Sequence, residues 1–125
     1  MTDAITQDRQ PTGWKNYALW GVQGLLALAF FTAGGQKLLG TEAMVAMFAQ
    51  IDAGQWFRVV TGLVEVTAAV LILVPRTVPI GAGLIIATMI GAVYTHLALI
   101  GGSPVPALVL LVLAGIVLWG RRARA

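Results

Sequence analysis

WFRVVTGLVEVTAAVLILVP, residues 56–75, sets one arginine and one glutamate into an otherwise apolar run of membrane-spanning length. At 1.5 Å per residue, about 20 residues cross about 30 Å of hydrocarbon. Arg58 and Glu65 lie seven residues apart, about 10 Å along a helix and separated by about 20° around it. Thr61 and Gly62 fall between them on nearly the same side. One polar stripe therefore runs from the mouth of this helix toward mid-membrane, which implies a cavity. A charge in hydrocarbon is costly unless paired, so Glu65 is a candidate functional residue.

Three further apolar runs flank this one. The first covers about 14–39 and the third about 78–100, after a break at Pro75, Arg76 and Pro79; the fourth follows Gly101, Gly102, Ser103 and Pro104 and ends near 119. The fold class expected is all-α, a bundle of four transmembrane helices over 14–120. Residues 1–13 form a polar, disordered cytoplasmic tail and 121–125 a basic one. The tail lacks the features of a signal peptide, and the first apolar run is too long for one. Residues 41–53 read as a short amphipathic helix in the outer interface. Thr41 is its N-cap, Glu42 sits in its first turn, and Met44, Val45, Met47, Phe48 and Ile51 recur at helical spacing. Its methionines offer an adaptable surface, so it is also readable as a lid over the bundle.

Arg9, Lys15, Arg76, Arg121, Arg122 and Arg124 all fall on the side that holds both termini. Basic loops stay inside, so that face is expected to be cytoplasmic, in a bacterial inner membrane. Trp14, Tyr17, Trp20 and Trp119 mark the inner interface, and Trp56 and Phe57 the outer one. Lys37, Arg58 and His96 then lie near the outer ends of their helices, with Glu65 deeper. An isolated carboxylate at that depth would take up a proton, so Glu65 is expected to pair with Lys37 or His96 or to hold a proton. Gln36 and Thr95, each directly before a basic residue, complete the candidate set. Snorkelling cations and a satisfied structural histidine are the plainer readings of Lys37, Arg58 and His96. Gln23 reads as an interhelical hydrogen bonder, and Gly83, Ala87, Gly91 and Thr95 as a stripe for close helix contact. That stripe serves the bundle or a second subunit, the bundle being favoured.

Composition narrows the function. Hydrophobic residues make up 58% and charged residues 10% of the chain, with a mean hydropathy of +0.87, which leaves no room for a soluble catalytic domain. Zero cysteines exclude a dithiol relay or thiolate metal site, and one histidine argues against bis-histidine haem. The pI near 10.0 comes with a net charge of only +3 and basic residues at helix ends, so it points to topology and not to nucleic acid. No metal site is expected.

Three segments carry a resemblance: FFTAGGQKLLG at 30–40, the 56–75 segment, and GAGLIIATMIGAVYTHLALIGG at 81–102. With the ordered set Lys37, Gly62, Glu65 and His96, the chain over 17–120 resembles the DoxX-like family of small four-helix membrane proteins. That resemblance implies a membrane protein with links to quinone-reducing thiosulfate oxidation, thiol-linked oxidant defence or receptor chaperoning. The leading expectation is a polar pocket, open to the outer leaflet, that binds a membrane lipid or lipophilic small molecule, quinone- or isoprenoid-like. It has no intrinsic cofactor, with quinone as the candidate, and a place in a membrane redox system. The alternatives are a non-enzymatic chaperone or adaptor for membrane proteins and, ranked below it, a small proton-coupled exporter.

Overall fold

The computed structural model of the chain describes residues 11–122. Those residues are all-helical, with five α-helices and no strand among them. The proposed tail at 1–10 and residues 123–125 lie outside the described residues.

Helix α1 spans Trp14–Leu39 and buries Leu19, Gln23, Leu26, Ala27, Phe30 and Gly34, a stripe of helical period. It stops at Gly40, whose left-handed conformation (φ 69°) lets its N–H donate to the Gln36 carbonyl. Helix α2, Glu42–Ile51, begins where the Thr41 hydroxyl accepts the Met44 N–H at 3.4 Å. It ends at Asp52, a non-glycine residue at φ 63°. Helix α3 is Gln55–Leu71, with Gly62, Glu65, Ala68 and Ala69 buried. A 3-10 turn, Pro75–Thr77, leads into α4, Val78–Thr95. A π-helical turn, His96–Ile100, extends α4, and α5 is Val105–Arg121.

The four long helices close a ring in which α1 packs on α3, α3 on α4, α4 on α5 and α5 on α1. Phe30, Leu26, Ile72, Ile85, Val78 and Val117 fill its centre. The short α2 rests on α3, on the π turn and on the end of α1, so it caps one end of the bundle.

Length departs from the sequence expectation. Among the described residues, two helical segments are long and apolar enough to cross a membrane: Trp14–Leu39 and Pro75–Ile100, 26 residues each. Helices α3 and α5 have 17 residues apiece. The 56–75 run leaves its helix at Leu71, short of the break at Pro75, because the chain turns there, with the Thr77 hydroxyl donating to the Leu71 carbonyl at 2.7 Å. At the other end α5 ends at Arg121, which is buried, so the first residue of the expected 121–125 tail belongs to the helix.

The small-residue stripe of α4 also departs from expectation. A Cβ on Gly83 or Gly91 would meet nothing within 4 Å, and Ala87 is exposed. The face α4 buries is Val78, Ala82, Ile85 and Met89, about 100° or more around the helix from the stripe. Close backbone approach occurs at other glycines. A Cβ on Gly81 would stand 2.7 Å from the Ile72 nitrogen, and one on Gly34 2.9 Å from the Gly62 carbonyl oxygen.

Candidate functional site

Gly34 on α1 and Gly62 on α3 let the two backbones touch, and the next turn of each helix carries a charge. Lys37 Nζ lies 2.8 Å from Glu65 Oε1, with side chains only 12% and 4% exposed. The expected pairing of Glu65 with Lys37 is therefore present. Oε1 is fully buried, and among the described residues the Lys37 ammonium is the group that neutralises it. A carboxylate oxygen can accept more than one hydrogen bond, so the pair keeps acceptor capacity in reserve.

Arg58 does not reach Glu65. Its Nε donates to Gln55 Oε1 at 2.8 Å, and a terminal nitrogen donates to the Lys37 carbonyl. That carbonyl belongs to the last turn of α1, where helix carbonyls lack intrahelical partners and the dipole favours a cation. Gln55 in turn donates from Nε2 to the Val45 carbonyl of α2 at 3.1 Å. A chain of side chains thus connects α2, the first turn of α3 and the end of α1.

The remaining candidates stand apart from the pair. His96 opens the π turn, and its Nδ1 is 2.8 Å from the Gly101 carbonyl. Since a carbonyl oxygen only accepts, Nδ1 is the donor in that contact. The Thr61 hydroxyl donates to the Phe57 carbonyl and the Thr95 hydroxyl to the Gly91 carbonyl, both at 2.8 Å, so each is bonded to its own helix. Gln36 is exposed. The polar stripe expected from Arg58 to Glu65 is real as a face of α3, and tight packing at Gly34 and Gly62 adjoins the pair. An exposed apolar strip lies elsewhere, along α5 at Val105, Leu108, Val109, Val112 and Leu113. No cluster of three metal-ligating side chains occurs among the described residues.

A second polar cluster was not read from the sequence as a whole. At the opposite end of α1, Arg121 Nε donates to Gln23 Oε1 at 2.9 Å, and Gln23 Nε2 donates to the Ile72 carbonyl at 2.9 Å. Arg121 also donates to the Asn16 side chain at 2.9 Å, and its guanidinium lies 5.4 Å from the Trp20 ring. Gln23 is the interhelical hydrogen bonder expected of it, joining α1 to α3 and α5. Arg121, read as a topological charge, is a buried structural residue. The available signal was its spacing: Ala107, Ala114, Val117 and Arg121 make one buried helical stripe.

These features define a small all-helical protein with two membrane-length apolar helices and a buried ion pair at a glycine-tight crossing. The chain belongs to the DoxX-like family, whose model matches residues 21–119. That match covers both glycines of the crossing and both charges of the pair. No curated protein and no solved structure matches the chain.

Proposed function

We propose that this DoxX-like protein crosses a bacterial inner membrane with all four long helices, both termini cytoplasmic. On this reading the Lys37–Glu65 pair holds the polar head of a lipophilic small molecule, quinone- or isoprenoid-like, in the outer half of the bilayer. The apolar exterior supports the membrane assignment: Leu25, Leu28, Leu63, Ile90, Val112 and Ile116 are each at least half exposed, a surface that suits lipid better than water. Helices α3 and α5, at 17 residues, sit at the short end of the range that spans hydrocarbon, about 17–25 residues.

One observation carries the ligand reading, the buried Lys37–Glu65 pair, whose Oε1 has no partner among the described residues besides the ammonium. A ligand hydroxyl would donate to Oε1, and Lys37 would donate to a ligand carbonyl. For a quinone the same two groups could also pass a proton to or from the oxygen, as general acid–base catalysis requires. The chain has no cysteine, so no thiol of its own would supply electrons. Binding is the activity proposed.

The test is native mass spectrometry of protein extracted gently with its own lipids. The wild type should carry a bound lipophile, and Glu65→Gln, with unchanged helical content, should lose it. Equal retention by both would remove the site.

The outward small-residue stripe at Gly83, Ala87 and Gly91 favours a second reading, an adaptor that holds partner helices, because such stripes allow close approach. Under it, Gly83→Leu with Gly91→Leu would abolish copurification of a membrane partner while Glu65→Gln would not. The reverse pattern would leave the ligand reading.

A further inference from the structure

Helix α2 is a short helix held between two sharp turns. Left-handed residues bound it on both sides, Gly40 at φ 69° on one and Asp52 at φ 63° with Gly54 at φ 105° on the other. One side chain, Phe48, is buried beneath it, and its ring meets Phe57 edge-on with centroids 5.8 Å apart. Across this contact the Gln55 amide donates to the Val45 carbonyl. A segment with few buried contacts between two sharp turns belongs to the low-stability end of a fold and opens locally.

Helix α2 joins the two helices that carry the polar site. The Lys37–Glu65 pair sits on α1 and α3, the two helices whose junction α2 forms, and Arg58 stands between. The Arg58 guanidinium adjoins Gly40, where an added Cβ would stand 3.2 Å from Nη1. It donates to both Gln55 and the Lys37 carbonyl.

We propose that α2 is a lid hinged at Gly40 and at Asp52–Gly54, latched by Gln55, and that it controls access to Lys37 and Glu65 from the outer end of the bundle. Arg58 is the positioning residue of this device. It ties the latch to the carbonyl of the lysine that the lid shields, so lid position and the end of α1 are coupled. The proposal rests on Lys37–Glu65 being the functional site, but its test uses no ligand, so either idea can fail alone.

The sequence supplies an unusually clean test. The chain has two lysines, Lys15 and Lys37; Lys15 is exposed at the far end of α1 and serves as an internal reference. In lipid nanodiscs, a water-soluble acylating reagent should modify Lys15 rapidly and Lys37 slowly, read by peptide mass spectrometry. Because the chain has no cysteine of its own, Phe48→Cys with Phe57→Cys can lock α2 onto α3 on oxidation. The Lys37:Lys15 ratio should fall at least about tenfold between the reduced and oxidised forms of that one protein, the mark of a local opening step. Gln55→Ala should raise it, and Arg58→Ala should raise it more than Arg58→Lys, which keeps a donor for the Lys37 carbonyl. Glu65→Gln should raise it only while the lock is reduced. An equal ratio in the locked and unlocked forms overturns the lid. A rise with Glu65→Gln in the locked form also overturns it, since the ion pair alone would then be the shield.

Discussion

Gly34 and Gly62 each occupy the space the other's side chain would need. A Cβ on Gly34 would stand 2.9 Å from the Gly62 carbonyl oxygen, and one on Gly62 would stand 3.0 Å from the Gly34 carbonyl oxygen. This reciprocal contact sets α1 and α3 close enough for Lys37 and Glu65, one turn further along, to meet. The ion pair therefore depends on two residues that carry no charge.

Glycine substitutions should separate the two kinds of small residue in the chain. Gly34→Val or Gly62→Val forces backbone against side chain and should cost about 1–3 kcal/mol or more, as overpacking does. Gly83→Ala and Gly91→Ala, with open space around them, should be neutral or stabilising because alanine is the better helix former. Thermal unfolding in detergent compares them directly; equal losses at all four positions would contradict the crossing.

Lys37 and Glu65 should be strongly non-additive. Lys37→Met strands a buried carboxylate, and removing one member of a buried pair costs about 3–5 kcal/mol. Lys37→Met combined with Glu65→Leu removes both charges and should recover most of that loss. A double mutant no more stable than Lys37→Met would mean the pair is not coupled.

At the other end of the bundle, Gln23→Leu takes the donor from the Ile72 carbonyl and an acceptor from Arg121. Both lie in a buried setting, so the expected loss is about 1–3 kcal/mol. Arg122→Met, at an exposed residue, should have little effect by the same melting assay.

Orientation is testable with single cysteines at Thr12 and Ala53, both exposed. An impermeant thiol reagent applied to intact cells should label position 53 and spare position 12, since basic residues cluster at the end that holds Thr12. Preferential labelling at 12 would invert the topology.

The sequence alone determined the helices and their polar content. Apolar runs broken by Gly40, Pro75 and Gly101–Gly102 place the helices to within a few residues, because periodicity, caps and breakers act locally; α1 begins at Trp14 and ends at Leu39 as its pattern requires. Thr41 capping and the spacing of Phe48 made α2 legible for the same reason, and Glu65 was visible because a carboxylate in an apolar run has no local partner. Which partner it takes, and which glycines matter, depend on how helices rotate and cross, and that is a property of the assembled core. The every-fourth-residue stripe of α4 looked like a contact face, yet packing of Ile85, Ala82 and Met89 turned it outward. Gln36 and Thr95 were placed beside the site by adjacency in sequence, and the 100° step between neighbouring helix residues carried them off it. Arg121 read as a surface charge because its partners, Gln23 and Asn16, lie about a hundred residues away along the chain; only folding brings α1 and α5 together and converts it into a buried tie.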